Sequence, residues 1–340
     1  KPILQLTDED YNENGMGGIF KINKSAYDTN IHVFNMLQHS ITGWPGGKPN
    51  SDDSQRPERS KPNKKRILIF SPHPDDDVIS MGGTFSRLVN QGHDVHVAYQ
   101  TSGNIAVSDE KVLEVAELMK RLSVSLSITE LDRLMTDEKN KLEKNHIIWG
   151  TNFHDNLKGL LTEKIDIDRY SIVNKIKGII RKSEALQACK YIGIEKDKIY
   201  NLDMPFYQTG KIKKNDLSSL DIKIVQNLIN RIKPHQIFAA GDLSDPHGTH
   251  RICLRSIYNS INNLKSKSFM RNCYVWLYSG AWDEWKIDEI DMVVPLSPKQ
   301  ILKKRMAIYK HLSQKDVVIF PGQDKREFWQ RAEDRNKNTA

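Results

Sequence analysis

Three cysteines in 340 residues, Cys189, Cys253 and Cys273, are too few and too scattered for a disulfide scaffold or a thiolate metal site. They read as buried thiols of a reducing compartment, and the expected location is the cytoplasm. Long apolar runs are missing too. Nothing approaches the roughly 20 residues of a membrane-spanning helix, and no apolar signal segment opens the chain. The chain begins at Lys1 without an initiator Met and reads as a portion of a longer protein. Aromatic residues are 8% of the chain and do not interleave with the basic runs, so the stacking platform of a single-strand binder is absent. The net charge of +8 arises from Lys and Arg mixed closely with acids, as from Asp137 to Lys144. That is the pattern of a solvated helical surface, so no nucleic acid is expected as a partner, while a preference for anionic small molecules stays open.

What is present falls into three parts. Residues 1–50 carry Gly and Asn clusters with few periodic apolar positions, and from Pro49 to Lys65 the composition is that of a linker, so 1–65 is an N-terminal extension and linker. No internal repeat follows. At Arg66 the pattern sharpens: Ile67–Phe70 is a continuous apolar run, typical of a strand buried on both faces, and Pro72 and Pro74 end it. A helical pattern through Val78, Ile79, Phe85, Leu88 and Val89 closes at Gly92, and Val95–Tyr99 is the next strand. Strand, helix, strand in so short a span is a βαβ unit with a parallel sheet. Residues 109–193 are mostly helical and heavily charged, longer than one crossover requires. Further strands are expected at 199–202, 236–240, 274–278 and 292–294, and helices at 216–232, 249–263 and 298–312. The fold class is therefore α/β: a Rossmann-like, open, mostly parallel sheet flanked by helices, with a helical insertion across 105–180. The domain spans 66–320, and 321–340 forms a C-terminal helix or tail.

Ligands of such sheets sit beyond the C-terminal strand ends, where two clusters fall. His73-Pro74-Asp75-Asp76-Asp77 follows the first strand, and Asp245-Pro246-His247-Gly248-Thr249-His250 follows the strand at 236–240. Imidazole with carboxylate suits Zn²⁺, or Fe²⁺ and its neighbours. His73 and Asp76, three apart across a turn into a helix, can reach one point. Asp75 between them is free to face a bound water. His247 and His250 are also three apart, one as ligand and the other beside it. Taken singly, each cluster has a plainer explanation. An Asp run after a strand caps the next helix, and a His-x-x-His pair is commonly two turn histidines. Two such clusters at strand ends of one sheet favour a metal.

His-Pro-Asp-Asp after the first strand with His-x-x-His late in the sheet resembles the PIG-L/LmbE-like family of zinc-dependent N-acetylglucosaminyl deacetylases. The resemblance runs over roughly 66–320. It takes in Gly82-Gly83, Thr101-Ser102-Gly103, Arg181-x-x-Glu184-Ala185 with Ala188 and Gly193, and His311-x-Ser313-Gln314. It implies His73, Asp76 and His250 as metal ligands and Asp75 as general base. It also implies that His247 steadies the tetrahedral intermediate or protonates the leaving amine. Asp77 stands where the family usually has Glu. Residues 1–65 are similar to the segment that joins such a domain to a glucosamine-6-phosphate deaminase-like domain in some bacterial proteins, so a covalently fused N-terminal partner of that kind is expected.

The activity implied is metal-dependent removal of the acetyl group from an N-acetylated amino sugar. An iron oxygenase also uses two His and one carboxylate but expects an all-β setting. A non-catalytic sugar-binding or regulatory module is the rival from another class, and Asp75 argues against it. Of the remaining candidates, Gly82-Gly83 lacks dinucleotide-site spacing and fits close helix–strand packing. Arg181 and Glu184, one turn apart, are equally readable as a surface pair. Cys253 reads as core, and Trp276, Tyr278, Trp282 and Trp285 fit either a sugar-stacking wall or a core strand with its loop.

Overall fold

Ile67, Leu68, Ile69 and Phe70 are all fully buried, which an amphipathic strand at a sheet surface cannot achieve. In a computed structural model describing residues 5–40, 64–125, 167–208, 213–315, 324 and 326–339, they lie on the middle strand of five. The strands are β1 (Arg66–Ser71), β2 (Asp94–Tyr99), β3 (Ile199–Asn201), β4 (Gln236–Ala240) and β5 (Tyr274–Tyr278). Their order is β3-β2-β1-β4-β5, and every pairing is parallel. The described helices are α1 (Asp8–Glu13), α2 (Phe20–Asn23), α3 (Ala26–Ser40), α4 (Asp76–Asn90), α5 (Asp109–Ser125), α6 (Ile167–Ile192), α7 (Ser219–Ile232), α8 (Thr249–Leu264), α9 (Pro298–Ile308) and α10 (Phe328–Thr339).

Side chains alternate across β1 and feed two cores. Ile67 and Ile69 pack with Phe85 and Leu88 of α4, Cys189 of α6, Ile308 of α9 and Ala332 of α10. Leu68 and Phe70 pack with Val225 and Ile229 of α7 and with Cys253 and Ile257 of α8. The result is a three-layer α/β/α sandwich. In it the chain builds outward from β1 through β2 to β3, then returns to build β4 and β5 on the other side. The boundary between β1 and β4 is therefore the topological switch point, where parallel sheets open a crevice.

Departures from the sequence expectations have local causes. The run 292–294 adds no strand, and Val293 makes only a single bridge. Pro295 follows it without an N–H for a ladder, and its carbonyl accepts from Arg87 Nη2. Helix α7 starts at Ser219 rather than 216 because Ser218 and Asp221 form a capping box there. Helix α9 stops at Ile308, and a short 3₁₀ turn over Leu312–Gln314 completes the expected span. The described residues 5–40 hold three α-helices despite their weak periodicity, with Tyr11 Oη donating to Asn30 Oδ1 at 2.8 Å. Most of the expected linker, and residues 126–166 of the charged insertion, lie outside the described residues. Gly82 and Gly83 do serve close packing, but toward α9 and the loop before it rather than a strand. A Cβ on Gly83 would lie 2.3 Å from Leu296 Cδ1, and one on Gly82 3.0 Å from Lys304 Cγ. No helix among the described residues is long and apolar enough to cross a membrane.

Gly103, in the loop after β2, has φ +61°, and a Cβ there would fall 2.7 Å from Pro74 Cδ and 3.0 Å from Arg181 Nε. Backbone strain and overpacking together predict that Gly103→Ala costs about 1–3 kcal/mol of stability. Urea unfolding measures this, and a midpoint equal to wild type contradicts the packing described.

Candidate metal centre and its cleft

Beyond Ser71 the chain turns sharply. The Pro72 carbonyl accepts from the Thr101 backbone N–H at 3.1 Å and from Thr101 Oγ1 at 2.7 Å, tying the His73 loop to the loop after β2. Asp75 occupies the N-cap of α4, yet its side chain makes no capping hydrogen bond. Its Oδ1 instead accepts from Arg181 Nη2 at 2.9 Å, in a pair almost sealed from solvent. A capping aspartate contributes about 1 kcal/mol, whereas breaking a buried ion pair costs about 3–5 kcal/mol. The pair is thus the larger effect at this position, and the plain capping account fails. Asp76, the first helical residue, turns its Oδ2 back to the His73 backbone N–H at 2.8 Å and to His73 Nδ1 at 3.0 Å. Asp77 faces the core, where Tyr99 Oη donates to its Oδ2 at 3.0 Å.

The second cluster arrives from β4. Asp245 accepts the N–H groups of Thr249 (2.7 Å) and His250 (3.2 Å), capping α8. His250 Nδ1 lies 2.7 Å from the Asp242 carbonyl. A carbonyl only accepts, so Nδ1 carries a proton, and Nε2 offers a lone pair once the ring has given up its second proton. That Nε2 is buried, has no hydrogen-bond partner among the described residues, and stands 3.2 Å from Asp76 Oδ2. His73, Asp76 and His250 each offer one ligand atom, all within 4.8 Å of one another. An unsolvated imidazole lone pair facing a carboxylate is a donor set for a cation, and the hydrogen bond on its far nitrogen is the usual support for a ligating histidine. The residues present fit a Zn²⁺-type ion.

Electrostatics agree. Burial alone disfavours the Asp76 carboxylate, but the His250 and His73 rings outweigh it and hold the group well below the usual carboxylate range. Burial lowers His250, yet Asp76 overrides it and pushes the ring up to about 9. Asp77 behaves oppositely: burial pushes it up to about 7 despite the Tyr99 hydrogen bond. His247 is lowered, first by burial and then by His73, with Asp245 opposing.

His73, Asp75, Asp76 and His247 lie on a cleft at the switch point, with Ile105, Arg181, Tyr207, Lys214 and Trp282 among its walls. They are four of the five expected site residues; the fifth, His250, is buried with Nε2 3.2 Å from Asp76 Oδ2. Arg181 corrects the surface-pair alternative. Its side chain is 1% exposed, and Glu184, one turn on, anchors Ser313 through Oε1 and Oε2 at 2.7 and 2.6 Å. Ser313 belongs to the His311-x-Ser313-Gln314 motif, and Gln314 also lines the cleft. Cys253 is core. The four aromatics divide. Trp282 lines the cleft, Tyr278 donates from Oη to the Phe70 carbonyl, and Trp276 and Trp285 border a different hollow beside β5. Sequence reading missed Tyr207, Lys214 and Asp242. Asp242 had a signal, an acid two residues past a strand end. Its Oδ2 accepts the N–H groups of Trp282 (2.5 Å) and Asp283 (2.9 Å), holding the aromatic wall to the ligand loop.

Comparison with known proteins bears on this arrangement. A protein of Bacteroides thetaiotaomicron described as glucosamine-6-phosphate deaminase-like is 50% identical over 343 residues; the match takes in 100% of this chain but 49% of that protein. The chain thus spans about half the length of that relative. Diacetylchitobiose deacetylase of Thermococcus kodakarensis is 36% identical over 58 residues, 17% of this chain and 22% of that one. Among solved structures, the N,N'-diacetylchitobiose deacetylase of Pyrococcus horikoshii matches at a TM-score of 0.44 and 17% identity, covering 85% of this chain and 81% of its own. The family model for GlcNAc-PI de-N-acetylase, PIG-L, matches residues 68–261, a span that holds both clusters, and the chain belongs to that family.

Proposed function

We propose that this chain is a metal-dependent hydrolase that removes the acetyl group from an N-acetylated amino sugar. The observation that carries the reading is the pairing of two distinct features in one cleft. One is a cation-ready set of His73, Asp76 and His250; the other is a separate carboxylate, Asp75, outside that set and paired with Arg181. Family membership and the similarity over 58 residues to a diacetylchitobiose deacetylase support an amide of an amino sugar as substrate.

When bound, a Zn²⁺ or Fe²⁺ ion polarises the acetamide carbonyl and lowers the pKa of water from 15.7 toward about 7. The chain's own residues do the rest. Asp75 accepts the proton of the attacking water, and Arg181 fixes the carboxylate's orientation. His247, at the cleft wall, donates an N–H to the carbonyl oxygen as it gains charge. The proton held on Asp75 then passes to the departing nitrogen, leaving amine and acetate. His73 and His250 keep their lone pairs for the ion, and the walls exclude bulk water.

The rival reading is a non-catalytic sugar-binding or regulatory module attached to a glucosamine-6-phosphate deaminase-like enzyme. The longer relative carries that name, which assigns the activity to neither of its halves. A fused deaminase-like domain and a cytoplasmic location are retained as proposals on the same footing.

Metal content of purified protein tests the first part. Wild type is expected to hold one divalent ion per chain, and Asp76→Ala and His250→Ala to lose most of it. Wild-type content in both variants sinks the ligand assignment. Acidification acts in the same direction. His250 must shed its proton to ligate, and its ring is pushed up to about 9 by Asp76, so protons compete with the ion and apparent affinity falls as pH drops. Affinity independent of pH between 5 and 8 contradicts this.

Acetate release tests the second part. Asp75→Asn keeps an oxygen acceptor for Arg181 and is expected to retain the ion while losing about 10²-fold or more in rate. His247→Ala is expected to retain the ion and lose about 10²–10³-fold, the range of a lost oxyanion donor. Near-wild-type turnover by Asp75→Asn removes the base from the scheme. No acetate from any N-acetylated sugar, with metal loaded, favours the binding module.

A further inference from the structure

Strand β5 is an edge of the sheet, and the run Tyr274-Val275-Trp276-Leu277-Tyr278 borders a second hollow that holds none of the candidate metal ligands. Trp276 and Tyr278 pack in the core layer that includes α4, whereas Val275 and Leu277 on the other face are 42% and 47% exposed. The loop after β5 then divides. Trp282 lines the metal cleft, while Glu284 and Trp285 line the hollow. A Cβ on Gly241 would fall 2.7 Å from Trp285 Cζ2 and 2.8 Å from Leu277 Cβ, so glycine there makes room for the indole. Glu284 Oε1 accepts the Trp285 backbone N–H at 3.0 Å, which holds the carboxylate beside that ring. The hollow measures about 650 Å³, within the roughly 300–1,000 Å³ of small-molecule sites.

Helix packing supplies its polar groups. Gly82 lets the Lys304 stem of α9 lie against α4 beside Met81, whose φ of −116° and ψ of 21° interrupt the helix. Lys304 Nζ donates to the Ser80 carbonyl at 3.4 Å and to Asn336 Oδ1 at 2.9 Å. The residue is 4% exposed, both partners are neutral, and an ammonium has a third N–H to give. Burial presses the ammonium down to about 8, Arg335 adds to the effect, and Glu284 and Glu333 oppose it. Two more polar atoms of the lining, Trp276 Nε1 and Ser80 Oγ, are buried without a hydrogen-bond partner among the described residues. Each is a cost that a ligand supplying the missing partner removes.

The lining selects a ligand class. A hydrocarbon chain leaves the indole N–H and the Ser80 hydroxyl unpaired. An anion meets three carboxylates, Glu284, Glu289 and Asp291, against one ammonium, and a cation drawn by the exposed Glu289 and Asp291 meets buried Lys304. A neutral sugar avoids all three conflicts. Its apolar C–H face suits an indole ring, and its hydroxyls both give and accept hydrogen bonds. Such groups match the donors of Trp276 and Lys304 and the acceptor of Glu284 together.

We propose that the hollow beside β5 is a second carbohydrate site, which seats a neutral pyranose ring against Trp276 and Trp285 with its hydroxyls bonded to Lys304, Glu284 and the Trp276 N–H. The inference stands apart from the deacetylase reading, because it concerns binding where none of the candidate metal ligands lies.

Calorimetry with cellobiose, a neutral sugar without an acetamide, tests this together with crystals soaked in it. A sugar ring is expected in the hollow against the two indoles, with the same affinity in the presence and absence of Zn²⁺. Trp285→Leu is expected to weaken binding about tenfold, and Trp285→Phe, which keeps a flat face, to weaken it less. Trp276→Phe keeps the ring without its N–H, and Lys304→Met keeps a stem on Gly82 without its ammonium. Each is expected to weaken binding about fivefold, the loss of one hydrogen bond. If Trp285→Leu fails to fold, these two milder variants carry the test. Adenine and octanoate are the controls, and tighter binding of either in the hollow overturns the carbohydrate class. Absence of cellobiose binding, density in the metal cleft alone, affinity that requires Zn²⁺, or variants that bind like wild type overturn the site.

Discussion

The site depends on one pairing. Strand β4 enters the sheet beside β1, parallel, with Ile67 opposite Gln236 and Ile69 opposite Phe238. Residues 73 and 250 are far apart in sequence, and only this register brings their loops to one end of the sheet. Strand β4 is buried throughout and β1 from Ile67 to Ser71, so a slip by one residue would turn each side chain into the opposite core layer. The hydrophobic sandwich therefore sets the distance between Asp76 and His250, and the loops need only supply donors. Capping by Asp245 and the Asp242 carbonyl refine the last few ångströms.

Burial gives the centre its electrical character. Asp75, Asp76 and His250 are each at most 5% exposed, and none could be retained there without a counterpart. The counterparts differ, and that difference separates the roles. Asp76 is matched by two rings that can instead take a cation. Asp75 is matched by a guanidinium, which remains protonated at any working pH and orients the carboxylate. Two adjacent aspartates thus face different partners because one is the cap and the other the first residue of the same helix. The third, Asp77, goes to Tyr99 and is pushed toward the neutral form.

Much of this was legible in the chain. The continuous apolar runs marked β1 and β4, and the prolines after them marked where chemistry begins. The spacing of His73 and Asp76 implied a shared point, which the turn into α4 delivers. Arg181 was harder. A helix carrying Arg and Glu three apart looks the same on a surface as in a core, and only tertiary packing of α6 against the His73 loop distinguishes them. Lys214 and Tyr207 lie in a short segment without periodicity, so nothing local announced a cleft wall. The false strand at 292–294 shows the converse: β-branched residues favour extension, but a strand also needs a run of ladder bonds, and beyond the single bridge at Val293 Pro295 has no N–H to continue one.

The central claim is that His73, Asp76 and His250 hold one ion at the β1–β4 crevice while Asp75 stands off it. An anomalous difference map from crystals of the zinc-loaded protein, recorded across the zinc absorption edge, tests it most directly. The account predicts a single strong peak about 2.0–2.2 Å from Asp76 Oδ2, His250 Nε2 and a His73 ring nitrogen, with Asp75 still paired to Arg181 and outside bonding distance. A peak ligated by Asp75, or the strongest peak lying elsewhere on the protein, would contradict it.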